Sequence, residues 1–371
     1  MVGGARSVLI AASNLVVFWV QIAADAFTDR PPTTARIGRM EEIARHTTPT
    51  KATSARRKRF GYGFYGTGRK HLATAIRDAE SYGYDTFVMP DHLAEQLSPI
   101  PALAAAAQLS STLRIAPWVL CNDFHIPQIV ARELATLDEL SNGRLDVGLG
   151  AGWVRIEYER AGIAFDSGGE RLRRLKDSVE VVRAMLHGGA VTIKNGHHDV
   201  RGLVGYPTPI QKPHAPLMLG GGGKQMLTWA ATEADIVSII PAAAPNGGIL
   251  ASGLTIAALL RKIGWVEESA GPRFGEITLN LAMIDVTITP DRRSVARATA
   301  DAISSGKNPM FVVDGELTED DLLESPYFAF GTAKEVAEHI DTVFERTGVS
   351  YYGLFPHLAD VFGPILDHVA R

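Results

Sequence analysis

The run Pro90-Asp91-His92 is where this sequence could most readily move a proton. An imidazole donates, accepts or shuttles a proton near neutral pH. The run follows the apolar stretch Tyr84 to Met89, so the pair closes a strand. Asp91 as a cap and His92 as a packing group is the competing reading, and the residues alone leave both open. Trp118-Val119-Leu120-Cys121-Asn122 ends another apolar run, and a bulge there could back one face of a flat ring. A plain buried strand is the alternative. Gly148, Gly150 and Gly152 free a third strand end of side-chain bulk, and the loop Ala151-Gly152-Trp153 follows. An end stripped in this way lets a ligand approach the backbone. Gly220 to Gly223, then Lys224, join a strand to a helix. Exposed amides at a helix amino terminus cradle a phosphate, and Lys224 could add charge.

Other patterns carry less chemistry. Gly61, Gly63 and Gly66 match GxGxxG, with Asp85 19 residues beyond. A dinucleotide fingerprint needs an apolar strand before its first glycine, and here Arg56 to Arg59 precede it. The aromatic residues between the glycines make this segment a strand instead. His187, His197 and His198 fall in a loop with no cysteine or carboxylate at ligand spacing, so no metal site is expected. The single cysteine, Cys121, excludes an intramolecular disulfide and reads as a buried structural thiol. Lys and Arg number 37 against 41 Asp and Glu, a net charge of −4, so nothing global draws nucleic acid or an anionic membrane.

Alternating elements must position these residues. Strands are expected at Phe60 to Tyr65, Tyr84 to Met89, Leu113 to Leu120, Leu145 to Leu149, Pro216 to Leu219, Asp235 to Ile240, within Glu276 to Thr289, and at Ser350 to Phe355. Between them, Leu72, Ile76 and Ala79 share a helical face, and Val130, Leu134, Leu137 and Leu140 share another. Asn142-Gly143 ends the second of these helices. Leu172, Leu175, Val179, Val182 and Leu186 mark a long amphipathic helix, and Ala333 to Arg346 a later one. Eight strands separated by helices describe an α/β fold, a (β/α)₈ TIM barrel. Segments 187–214, 241–275 and 305–330 exceed ordinary connections and are expected to be insertions that shape or cover a site.

Residues 1–58 differ from the rest. Ser7 to Phe27 is mostly apolar, and the stretch to Arg59 is rich in Thr, Ala and Arg, as a disordered linker would be. The segment reads either as a signal or anchor, or as an extension upstream of the true start, with Met40 one possible start. The second reading is preferred, because residues 59–371 look like one cytoplasmic domain.

Assembled, these residues resemble the bacterial luciferase-like flavin and deazaflavin oxidoreductases, in particular their coenzyme F420-dependent actinobacterial branch. The resemblance runs from about Phe60 to Val369. It is carried by DTFVMPDHL (85–93), LATLDELSNGRLDVGLGAGW (134–153) continuing to Glu157, PLMLGGGG (216–223), ATEADIVSI (231–239) and SPYFAFGTAKEVAEHI (325–340). It implies a barrel holding F420, or alternatively FMN, at its carboxyl face, with a small-molecule substrate and a possible homodimer. It further implies a non-proline cis peptide near Trp118-Val119 against the ring, and His92 contacting the ring or assisting proton transfer. Asp91, Ala151, Gly152 and Trp153 are expected beside the cofactor, and Gly220, Gly221, Gly222 and Gly223 near its phosphate. Some F420-linked sugar-phosphate dehydrogenases place a glutamate where this chain has Trp153, with Glu157 the next carboxylate, so that activity does not carry over. Hydride transfer with F420 is the first expectation. A reduced-FMN monooxygenase and a non-catalytic flavin-binding protein are the alternatives.

Overall fold

The computed structural model describes residues 57–244, 248–308 and 310–369. The apolar run Ser7 to Phe27 and most of the basic linker lie outside them. Eight parallel strands form the centre: β1 (Arg59–Gly63), β2 (Thr86–Met89), β3 (Arg114–Pro117, resuming at Leu120–Cys121), β4 (Val147–Gly150), β5 (Leu217–Gly221), β6 (Ile236–Ile239), β7 (Thr278–Met283) and β8 (Val349–Leu354). Each pairs with its neighbour in order, and β8 returns to β1 with Phe60 opposite Tyr352. The ring closes through β3: its first half pairs with β2 and its second half with β4. This is the expected (β/α)₈ barrel.

The wall is made by α1 (Arg69–Ser81), α2 (Pro99–Leu109), α3 (Pro127–Leu140), α4 (Arg155–Ala161), α5 (Gly168–His187), α6 (Lys224–Glu233), α7 (Ile256–Ala270), α8 (Arg292–Ser304), α9 (Ala333–Thr347) and α10 (Pro356–Phe362). Their ends follow the local chemistry. α3 stops at Asn142 and Gly143, both at positive φ, and Arg144 Nε donates to Ser141 O at 2.6 Å. It buries Val130, Leu134 and Leu137 but leaves Leu140 44% exposed, because the helix face turns away from the barrel at its last turn. α5 buries all five of its expected positions, and a Thr332–Glu335 capping box opens α9.

The long segments are partly framework. The segment 187–214 carries an antiparallel hairpin, Ala190–Lys194 with Asp199–Val204. The segment 241–275 is not simply an insertion, since it contains α7, the wall helix that must follow β6. The segment 305–330 supplies Phe311–Val312, which pairs with Ile249–Leu250, and the start of Phe328–Gly331, which pairs with Asp285–Ile288.

The barrel interior is polar at its floor. The Asp146 carboxylate, fully buried, accepts from Arg59 of β1 at 2.6 Å and from Arg114 of β3 at 2.5 Å. Arg59 also donates to Thr86 of β2 and lies over the Tyr351 ring of β8. One carboxylate thus ties two strands through cations that other strands support. Above it, Met218, Ile236 and Tyr351 pack against Trp118 and Val119. Asp146→Ala should cost about 1.5–3 kcal/mol in urea unfolding, because two partly buried cations lose a fully buried charged acceptor. A loss under about 1 kcal/mol would show that the floor is not held electrostatically.

Candidate functional site

The carboxyl end of the barrel is organised around the interruption in β3. The Trp118-Val119 peptide bond is cis, as the resemblance implied. The Trp118 indole points into the barrel, where Nε1 donates to Asn280 Oδ1 at 3.2 Å. That same oxygen accepts from Ser238 at 2.7 Å, and Asn280 Nδ2 donates to Tyr351 O. Opposite, β8 makes room: a Cβ on Gly353 would overlap the indole, and Phe355 meets it at 5.8 Å.

The glycines of β4 make room within the protein. A Cβ on Gly148 would collide with Pro117 O, and one on Gly150 would lie 2.6 Å from Val119 Cγ2. Gly152, at φ +73°, leaves space taken by the Tyr158 hydroxyl and Cys121 Sγ. These absent side chains admit the broken strand and the Tyr158 ring. Gly61 and Gly63 likewise sit within β1, against Val88 and Leu354 O, so the GxGxxG match is a packing feature.

His92 stands just past β2 and meets a carboxylate that spacing alone did not assign. Its Nδ1 lies 2.9 Å from Glu157 Oε1 and 3.2 Å from Oε2, and Glu157 is 5% exposed. Glu157 reaches there because α4 begins at Arg155, two residues after Trp153, and buries its first-turn carboxylate. Trp153 meets the imidazole edge-on at 6.3 Å. Burial, reinforced by the charges of Glu157 and Glu95, pushes the Tyr65 phenol up to about 12. A carboxylate on Nδ1 fixes that nitrogen as the donor.

Asp91 is used otherwise. Its Oδ2 accepts from Cys121 N at 3.0 Å and pairs with His125 Nε2 at 2.8 Å, bracing the resumed half of β3. Cys121 is buried against Tyr158, and burial pushes its thiol up to about 12, which suits an inert role. Ala151 contributes its carbonyl to Tyr158.

Gly220 to Gly223 run from β5 into α6. Gly220 to Gly222 are crowded by Ser238, Met226 and Pro241 O in turn, whereas nothing lies within 4 Å of a Cβ on Gly223. Gly223 caps α6 without a side-chain acceptor, so the first amides of α6 receive no side-chain cap there. Lys224 extends over the Trp265 ring at 5.9 Å. Away from the mouth, the fold brings Asp177 and Glu170 to the two nitrogens of His197, which raises its pKa, while His198 bonds Ser178. Among the described residues no group of three or more His, Cys, Asp or Glu is arranged to hold a metal.

A family model for luciferase-like monooxygenases matches residues 54–351. The chain belongs to that family. A methylenetetrahydromethanopterin reductase of Archaeoglobus fulgidus is 27% identical over 286 residues, 74% of this chain and 80% of that protein. An uncharacterised protein of Mycobacterium tuberculosis is 30% identical over 187 residues, 44% of this chain, and the match spans 65% of that relative's length. Two solved structures share the family fold. An F420-dependent secondary alcohol dehydrogenase in complex with an F420-acetone adduct has a TM-score of 0.66 and 20% identity, covering 85% of this chain and all of that one. A long-chain alkane monooxygenase has a TM-score of 0.64 and 12% identity, covering 85% and 93%. Among the described residues no helix is long and apolar enough to cross a membrane.

Two further mouth-side groups had no sequence signal. Asp285 lies just past β7, where burial pushes its carboxyl up to about 6. His357 follows β8 and lies flat on Phe355, at 6.4 Å and 12°, and burial pushes its imidazole down to about 4. Between that value and the ordinary 6.5 the unfolded chain holds the extra proton, so this group lowers stability as pH falls through the window. His357→Phe should flatten the fall of Tm between pH 6.5 and pH 4. An unchanged slope would show that the ring is solvated.

Proposed function

We propose that this protein is an F420-dependent oxidoreductase acting on a small, uncharged organic substrate. The observation that carries the reading is the His92–Glu157 pair, held beside Trp153 at the barrel mouth. The residues fit a flavin-type group: the Trp118-Val119 step offers a flat apolar wall, and the amino terminus of α6 at Gly223 suits a phosphate. F420, when bound, supplies the hydride chemistry.

The chain's own residues do the rest. Glu157 orients His92 through Nδ1 and stabilises the imidazolium that forms when Nε2 takes a proton from a substrate hydroxyl. In the opposite direction Nε2 returns that proton to a carbonyl oxygen. Trp153 and Phe355 line the mouth with apolar surface, which excludes water and disfavours a charged substrate. That preference is consistent with the absence of a glutamate at position 153. The solved F420-dependent alcohol dehydrogenase, whose whole length this chain covers, supports hydride transfer of this kind.

An FMN-dependent monooxygenase is the second reading, favoured by the alkane monooxygenase sharing the fold at similar TM-score. Fluorescence titration of the purified protein separates the two. Saturable quenching of F420 without a response to FMN is expected, and tight FMN binding with no F420 response would overturn the first reading. With F420 bound, His92→Ala should lower turnover by roughly 10²–10⁴ while cofactor affinity changes far less. Unchanged turnover would make His92 a packing residue.

A further inference from the structure

The glycine rim at the end of β5 has a hidden cation behind it. Lys262, on α7, is 3% exposed, and its Nζ donates to Ile240 O at 2.6 Å. That carbonyl belongs to the rim: a Cβ on Gly222 would lie 3.1 Å from it and 2.5 Å from Pro241 O. Ile240 N donates in turn to Gly221 O at 3.2 Å. Ammonium and glycine run thus share one carbonyl, beside the uncapped amino terminus of α6, which packs along α7.

The ammonium is incompletely satisfied. It has three N–H donors, and among the described residues one acceptor and no carboxylate meet it. Burying a lone ammonium is expensive unless an anion compensates it. Burial, with Arg261 nearby, lowers this lysine to about 8, as an uncompensated cation requires. Lys224, the cation the sequence pointed to, is exposed and lies over Trp265 instead.

We propose that Lys262 is the counter-charge for the phosphoryl group of the bound cofactor, completing with the α6 amides an anion site at the β5–β6 rim. This rests on the reading that a phosphorylated flavin or deazaflavin binds at the mouth, and it goes further by assigning a buried residue to that group. Lys262 acts on affinity and placement and touches no reacting atom.

The test is Lys262→Met, which keeps the apolar stem and removes the charge. Dissociation constants are measured for two pairs, FMN with riboflavin and F420 with its phosphate-free deazaflavin core. Melting curves of the ligand-free protein are recorded with and without inorganic phosphate. Affinity for the phosphorylated member of the binding pair should fall roughly 10- to 100-fold, the range for a lost hydrogen bond to a charged group. Its phosphate-free counterpart should bind as before. The ligand-free variant should melt no lower than the wild type, since a lone buried charge has gone. Equal losses within a pair, or unchanged affinity for the phosphorylated member, would overturn the proposal. If the wild type binds none of the four, the cofactor reading fails separately. Lys262 is then judged by whether inorganic phosphate raises the melting temperature of the wild type and not of the variant; no rise, or the same rise in both, overturns it.

Discussion

The mouth of this barrel depends on one steric constraint, the room its neighbours leave for the broken third strand. Trp118 turns inward against Gly353, and Val119 occupies the volume beside Gly148 and Gly150. A side chain at any of these glycines would force the strand, the indole or the neighbouring backbone to move, because barrel interiors are packed like crystals. The break separates two jobs. Arg114 to Pro117 hold the ring of strands closed against β2, and Leu120-Cys121 re-enter it against β4, where Asp91 fixes them. Between those halves lies a flat apolar step, tied by Trp118 Nε1 to Asn280.

Charge is distributed to suit that step. The floor carries Asp146 between two arginines, well below the mouth, so the cations that close the barrel do not face the site. At the mouth the groups favour neutral forms: His357 stays unprotonated, Tyr65 stays a phenol, and Asp285 holds its proton to higher pH than an ordinary carboxyl. Within these surroundings His92 has a buried carboxylate to support it when it becomes charged. On the proposed reading His92 is a proton carrier beside an apolar wall, as hydride transfer to or from a carbon–oxygen centre requires.

The barrel was legible in the sequence because its strand candidates were mostly short apolar runs, several of them followed by a helix with a readable face. α5 is the clearest case, with all five spaced apolar positions buried. Leu140 shows the limit: it fits the period of α3, but the barrel does not extend over the last turn. The long connection after β6 was also misjudged, since a helix that begins well past its strand leaves the same gap as an insertion. At the site, His92 and Trp118-Val119 could be singled out, while the role of the β4 glycines could not. Pattern records that a side chain is missing and not which neighbour fills its place. Glu157 was visible as the next carboxylate after Trp153, but only the turn of α4 brings it to His92. Lys262 carried no sequence signal, because its burial comes from the packing of α7 beneath the rim.

The central claim is that His92 and Glu157 act as one unit on the reacting group. A double-mutant cycle on the rate of hydride transfer tests it most directly, using His92→Ala, Glu157→Gln and the double variant in stopped-flow with F420. Residues acting as a unit are strongly non-additive. The account predicts that the double variant is no slower than His92→Ala alone, with Glu157→Gln slower than the wild type. Losses that simply add, or a Glu157→Gln variant as fast as the wild type, would contradict it.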